Sequence, residues 1–179
     1  MRMMPLLTSI CLASAMLPLS AERTEAGIQG SLVFPQSDLR SEVRGRTGFQ
    51  VGVHGAIDLQ GGNELRPRID YTRIDGGAFS FNSFSGSHTV KGVGLGVDYL
   101  RYYEQRPRGL YGLGGIELIW WDARDRDGAS VRETAPSLKL GVGHRFDSRV
   151  SMEFSVDYGK FRPAFGTASS IKGGVFYRF

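Results

Sequence analysis

Charged residues recur at alternate positions over much of the chain, between neighbours that are largely apolar. Carboxylates and cations that leave water together can form an ion-pair network, whereas an unpaired buried charge is very costly. Six acids and six bases share this pattern, so we interpret them as one interior charge network and not as an active site. These residues are Asp58, Arg66, Arg68, Asp70, Asp98, Glu117, Lys139, Arg145, Glu153, Asp157, Lys172 and Arg178.

Side chains that could act as a nucleophile or a general base are few. The histidines are His54, His88 and His144, and Cys11 is the single cysteine. A histidine activates a serine only when the fold brings the two together. His144 has serines nearby in sequence, but an interfacial position is the better interpretation of it. We therefore predict no catalytic residue, and no thiol chemistry in the mature chain.

Two strings look like ligand-binding loops but lack the required residues. In the acidic stretch after Trp121, a calcium loop would place Ala123 and Thr134 at its first and twelfth ligand positions, and its arginines would repel a cation. The run Gly92–Gly96 lacks the spacing of a nucleotide-binding loop. We expect no metal and no other cofactor. A net charge of +4 is also too small and too scattered to favour nucleic acid.

The N-terminus has the order of a secretory signal peptide. Arg2 precedes the apolar run 6–19, and small residues close that run at Ser20 and Ala21. We predict a signal peptide over residues 1–21, with a second cleavage site after Ala15 as the weaker choice and an uncleaved membrane anchor as the rival interpretation. Cys11 falls inside this peptide, and residues 22–179 form one domain.

Apolar and polar residues then alternate in eight segments, and a period of two is typical of β-strands. The segments span residues 26–34, 47–59, 65–74, 88–103, 109–121, 134–146, 150–161 and 170–179. Segments of about ten residues are long enough to cross an outer membrane as tilted strands.

The connections between these segments alternate in length. Short ones follow the second, fourth and sixth segments, at 60–64, around Pro107 and at 147–149. Longer, polar ones lie at 35–46, 75–87, 122–133 and 162–169. Short turns at one end and long loops at the other are typical of bacterial outer-membrane barrels. We therefore predict external long loops and periplasmic termini.

The two faces of each strand differ in chemistry. In the last segment Ile171, Val175 and Tyr177 alternate with Lys172 and Arg178. A soluble sandwich would also alternate, but its polar face would meet water and need no charge balance. The balanced charges therefore favour an all-β fold, an eight-stranded antiparallel up-and-down transmembrane β-barrel with an N-terminal signal peptide.

Aromatic residues gather near the segment ends. Tyr and Trp favour the membrane–water interface, so this placement predicts two aromatic girdles. The residues concerned are Phe34, Tyr99, Tyr102, Tyr103, Tyr111, Trp120, Trp121, Phe146, Tyr158 and Phe161.

The C-terminus carries the most specific family feature. Val175, Tyr177 and Phe179 alternate up to a terminal phenylalanine, and this pattern resembles the insertion signal read by the outer-membrane assembly machinery. The mature chain resembles the small eight-stranded outer-membrane barrels of the OmpA/OmpX-like type. That resemblance implies a cell outer-membrane location, the assembly machinery as a partner during biogenesis, and a barrel without a peptidoglycan-binding domain.

Three functions follow as alternatives. A structural or surface-interaction barrel is the first, with outer-membrane lipid and lipopolysaccharide as candidate partners and a monomeric state expected. The second is a narrow OmpW-like conduit for small solutes. The third is an interfacial lipid A hydrolase, but the family's His-x-Ser pair would need serine where Ala56, Val90 and Phe146 stand. Loop arginines could bind lipid phosphates or merely keep the loops soluble; they are Arg40, Arg44, Arg46, Arg124, Arg126 and Arg132.

Overall fold

Eight antiparallel strands form a closed barrel in the computed structural model, each strand paired with the next and the last with the first. The structure describes residues 24–78, 87–104, 106–124, 130–160 and 167–179. The predicted signal peptide lies outside these described residues. The prediction of an all-β, eight-stranded, up-and-down barrel is confirmed.

The elements follow one another without crossovers. We call the end of the barrel that carries the helix the helix end, and the end that carries connections 59–62, 103–108 and 146–149 the turn end. In order, the elements are β1 (Thr24–Gln36), α1 (Ser37–Glu42), β2 (Gly48–Asp58), β3 (Asn63–Ala78), β4 (Ser87–Tyr102), β5 (Gly109–Arg124), β6 (Ser130–Arg145), β7 (Val150–Lys160) and β8 (Thr167–Arg178).

Each strand turns its apolar side chains outward and its polar ones inward. In β7, Met152, Phe154 and Val156 are exposed, while Glu153 and Ser155 between them are buried. Successive residues of a strand point to opposite faces, so this one alternation determines both surfaces of the barrel. The arrangement is the reverse of a soluble protein, where the charged face meets water.

Tight turns at the turn end depend on a few residues. Between β2 and β3, Gln60, Gly61 and Gly62 all have positive φ, which glycine adopts without a Cβ clash. Between β6 and β7, the backbone N–H groups of Arg149 and Val150 each donate to Asp147 Oδ1 at 2.7 Å. These hydrogen bonds lower the pKa of the Asp147 carboxyl, because they favour its charged form.

The helix end differs from the predicted loops in two respects. Part of the predicted loop 35–46 forms α1. Within the other three predicted loops, most of the residues that the structure describes belong to strands, because β3 runs to Ala78 and β6 begins at Ser130. The predicted end of each strand is the point where the alternation of apolar and polar residues stops. Backbone hydrogen bonds do not require apolar side chains, so the strands extend beyond the apolar belt.

Two apolar clusters lie inside the barrel, one at each end. At the helix end, Leu39 and Val43 bring α1 onto buried residues of the strands, chiefly Val33, Ile74 and Val90. At the turn end Leu100, Tyr102, Tyr111 and Leu113 pack together. Tyr102, Tyr111 and the half-buried Trp121 therefore face inward and do not join the predicted girdles. Among the described residues, no helix is long and apolar enough to span a membrane.

Candidate functional site

The centre of the barrel is built around Arg66, which is fully buried. Its Nη2 atom lies 3.0 Å from Asp98 Oδ2 and 2.8 Å from Glu153 Oε2, and Nη1 makes a second contact with Glu153. The guanidinium carbon also lies 4.3 Å from the ring centroid of Phe176. Lys139 Nζ completes the cluster at 3.1 Å from Asp98 Oδ2. β3, β4, β6 and β7 thus supply charges to one ion-pair cluster.

Arg68 connects this cluster to a second group of acids. Its Nε atom lies 3.1 Å from Asp98 Oδ2, and its Nη2 donates to Glu117 Oε2 at 3.0 Å. Its Nη1 contacts Asp70, which also accepts a hydrogen bond from Gln29. Arg66 and Arg68 are two residues apart on β3, so both project into the interior and share Asp98.

Glu64 organises a third group near the turn end. Arg178 binds it with both guanidinium nitrogens, Nη2 to Oε1 at 2.6 Å and Nη1 to Oε2 at 2.9 Å. Arg145 Nη2 adds a contact of 2.9 Å, and the Tyr102 hydroxyl donates at 3.3 Å. Sequence reasoning missed Glu64, which it placed in the turn 60–64. The spacing Glu64, Arg66, Arg68 was the signal that could have placed it on the interior face.

Asp157 and Lys172 form a separate ion pair between β7 and β8. They border a cavity of about 20 Å³ beneath α1, with Leu39 on its wall. A cavity of this size has room for about one water molecule. The described residues therefore leave little free space at this point beneath α1.

The interior holds all but one of the predicted network residues. Asp58 is the exception and corrects the expectation, because it is half-exposed at the end of β2 and its Oδ1 accepts the backbone N–H of Gln60 at 2.9 Å. At the end of a strand, the short aspartate side chain accepts a hydrogen bond from the turn backbone more readily than it reaches the barrel interior. The buried residues are Arg66, Arg68, Asp70, Asp98, Glu117, Lys139, Arg145, Glu153, Asp157, Lys172 and Arg178.

The histidines do not form a site in the described part of the chain. His54 is buried with its ring 5.6 Å from that of Phe176, whereas His144 lies on the outer face, where its ring is 4.7 Å from that of Phe146. The side chain of His88 lies outside the described residues. Within those residues, no three His, Cys, Asp or Glu side chains are placed to hold a metal ion.

The outer surface is a continuous apolar belt. A contiguous apolar area of this extent is far larger than the patches on a soluble monomer and is typical of contact with lipid. Exposed members of the belt are Ile28, Leu32, Val51, Val53, Ile69, Val93, Leu95, Val97, Ile116, Leu118, Leu138, Leu140, Val142, Met152, Phe154, Val156 and Val175.

Aromatic residues stand at both margins of this belt. Tyr99, Tyr103 and Phe146 are exposed towards the turn end, and Trp120 and Tyr158 towards the helix end. Such rings prefer the boundary between hydrocarbon and water. The outward aromatics therefore lie where two membrane interfaces would cross the barrel.

The predicted insertion residues line up on the outer face of β8. Val175, Tyr177 and Phe179 are all exposed, and the last two rings lie 5.7 Å apart. Phe179 also donates its backbone N–H to Ala26 O at 3.0 Å, which ties the end of the chain to β1. Recognition of Val175, Tyr177 and Phe179 by the outer-membrane assembly machinery stays a prediction.

Exposed arginines lie at the helix end. Arg40 belongs to α1, and Arg44 and Arg46 follow in the connection to β2. Arg132 is exposed on β6, with Nε 3.4 Å from Asp122 Oδ2. The side chains of Arg124 and Arg126 lie outside the described residues. The helix end thus presents several cations to its surroundings.

Comparison by sequence finds no relative: no family model matches the chain, and no curated protein matches it. Comparison by structure does find similar folds. Neisserial surface protein A is 16% identical with a TM-score of 0.57, over 87% of this chain and 97% of that one. Ail, the attachment invasion locus protein of Yersinia pestis, solved with the heparin analogue sucrose octasulfate, is 15% identical with the same TM-score and coverage.

A third similar structure is the N-terminal β-barrel domain of Pseudomonas aeruginosa OprF. It is 12% identical with a TM-score of 0.50, and the alignment covers 88% of this chain and all of that domain. At such low identity these matches concern the fold alone. The chain therefore has the fold of the small eight-stranded outer-membrane β-barrels.

Proposed function

We propose that this protein is an integral outer-membrane barrel with a structural or surface-interaction role. The observation that carries the proposal is its reversed polarity: a belt of exposed apolar side chains surrounds an interior of buried, paired charges. In water the belt would favour aggregation, whereas in a bilayer it meets hydrocarbon and the closed sheet leaves no unpaired edge.

The orientation follows from the connections. The turn end, where both β1 begins and β8 ends, faces the periplasm, and the helix end faces outward, as in bacterial barrels with short periplasmic turns. The outer end then carries α1 and its arginines, and this surface is the part of the protein that a partner would reach first.

We propose that this arginine surface, made of Arg40, Arg44 and Arg46, binds an anionic partner. Guanidinium groups bind sulfate, phosphate and carboxylate oxygens with two parallel hydrogen bonds. The complex of Ail with a sulfated heparin analogue supports this choice of probe. Replacing the three arginines with glutamine should weaken retention on immobilised heparin, whereas Arg106→Gln, at the turn end, should leave it unchanged.

The interior favours a closed barrel over a conduit. α1 covers the helix end through Leu39 and Val43, and the ion pairs of Arg66 and Arg68 occupy the centre. An eight-stranded barrel is just wide enough for its side chains to fill it. The purified protein should therefore give no stepwise conductance in a planar bilayer, and no catalytic role is proposed.

Cell fractionation tests the proposal as a whole. The full chain should sediment with outer membranes and should migrate differently on a gel before and after boiling, because a closed barrel resists detergent until heated. Recovery as a soluble periplasmic protein with heat-insensitive migration would contradict it.

A further inference from the structure

Two of the shallow grooves on the outer surface of the barrel share strands but have no described lining residue in common. The first groove, about 750 Å³, runs over β3 to β7 and is lined by Pro67, Leu95, Ile116, Leu138, Tyr158 and Lys160. The second groove, about 710 Å³, includes Leu32, Val51, Val142 and Phe154. Both volumes fall within the range of small-molecule sites, about 300–1,000 Å³.

The two grooves differ in charge. Lys160 lies at the end of β7 next to the helix end, and among the described lining residues of the first groove it is the one Lys or Arg. The lining of the second groove, as far as the structure describes it, contains neither Lys nor Arg. An apolar surface with a lysine at one end is suited to an anionic amphiphile, whereas a groove without Lys or Arg offers no such contact to an anionic head group.

Further cations stand beyond the first groove, on neighbouring strands. Lys91 and Arg132 both face outward, and in the sheet register each lies opposite Asp122, one on either side. Among the described residues of this part of the outer face, Lys160, Lys91 and Arg132 accompany Asp122, and β3 adds the ion pair of Arg73 and Asp75 beside Lys91. Trp120, paired with Thr134, lies between the groove and this row, as expected of a ring at the membrane–water interface.

We infer that the first groove binds a phosphorylated, multiply acylated glycolipid of the outer leaflet, with acyl chains on Leu95, Ile116 and Leu138 and a phosphate on Lys160 and Arg132. This inference rests on the proposed outer-membrane location with the helix end outward. That orientation places the cations in the leaflet whose lipids carry phosphates beside several acyl chains. Lys and Arg bind phosphate through charge-assisted hydrogen bonds, and the apolar wall adds burial of methylene groups.

Native mass spectrometry of the full-length protein in detergent tests the site. The probes are lipid A with two phosphates, the same lipid A after phosphate removal, and phosphatidylglycerol. We expect one retained lipid A, and about tenfold weaker retention in the double variant Lys160→Gln with Arg132→Gln, as for loss of charged hydrogen bonds. The double variant Arg106→Gln with Arg108→Gln removes the same two positive charges at the turn end and should retain lipid A like the parent.

A second pair of variants tests the groove itself. Leu138→Trp fills the first groove and should weaken retention, whereas Val142→Trp, on the same strand and in the second groove, should not. Equal retention of dephosphorylated lipid A or of phosphatidylglycerol, or equal loss in both tryptophan variants, would overturn the inference. Membrane location and heat-sensitive migration are measured on the same samples. These two measurements distinguish failure of the lipid site from failure of the proposed outer-membrane location. A membrane-inserted barrel without this preference contradicts the site alone, and a soluble chain contradicts both.

Discussion

Arg178 and Glu64 face each other across the interior, with Nη2–Oε1 at 2.6 Å and Nη1–Oε2 at 2.9 Å. The two residues belong to β8 and β3, which are not neighbours in the sheet. The contact therefore spans the barrel and does not follow a strand pair. Because Arg145 also binds Glu64, two buried guanidinium groups share one carboxylate.

Removing the Glu64 carboxylate should destabilise the barrel strongly. Glu64→Ala leaves Arg145 and Arg178 without their shared acceptor, and loss of one partner from a buried pair costs about 3–5 kcal/mol. The urea midpoint of the refolded protein in detergent should fall accordingly. Glu104→Ala removes an exposed acid from the turn end and should stay within about 0.5 kcal/mol of the parent. Equal midpoints for the two variants would contradict the role given to Glu64.

Glycines on the two faces of the sheet should respond differently to alanine. A Cβ on Gly115 would lie 2.8 Å from Val97 O and closer still to Asp98 Oδ1, so the backbone of β4 would have to move. Overpacking of this kind costs about 1–3 kcal/mol. On the outer face, a Cβ on Gly30 would meet no atom of the described residues within 4 Å. Gly30→Ala should therefore be neutral in the same unfolding assay, and equal destabilisation would refute the close approach at Gly115.

The β6–β7 turn should contribute a small pH-dependent stability. Hydrogen bonds from Val150 and Arg149 lower the folded pKa of Asp147, so its contribution is present above the ordinary aspartate pKa of about 3.9 and is lost as the pH falls through the folded value. The difference in unfolding midpoint between the parent and Asp147→Ala should therefore shrink on acidification. Asp147→Asn keeps an acceptor oxygen without a charge, so its difference from Asp147→Ala should stay constant with pH.

The strands could be predicted from the sequence because their cause is local. Alternation of apolar and polar residues, as in Val150–Lys160, determines both the strand and the face of every side chain. The interior position of Arg66 follows from the same alternation. Its partners do not, because Asp98 and Glu153 come from β4 and β7, and only closure of the barrel brings these strands to opposite sides of one guanidinium.

The parts that could not be predicted depend on tertiary packing. α1 is a single short helix, too short to be stable alone, and it forms because Leu39 and Val43 bury themselves against the strands. Asp58 shows the opposite effect. The apolar–polar alternation of β2 predicts an interior position for Asp58, but its carboxylate accepts a hydrogen bond from the backbone of the following turn. The grooves of the outer face depend on side-chain sizes across five or six strands, which no local pattern encodes.

Trp120 and Trp121 provide the most direct test, because they are the only tryptophans and adjacent residues of one strand. Trp120 is exposed on the outer face, whereas Trp121 packs inward against the apolar cluster beneath α1. In liposomes of brominated lipid, Trp121→Phe leaves Trp120 as the sole tryptophan, and its fluorescence should be strongly quenched. Trp120→Phe leaves Trp121, whose fluorescence should be quenched only weakly. Equal quenching in the two variants, or none in either, would contradict a lipid-embedded barrel with this reversed polarity.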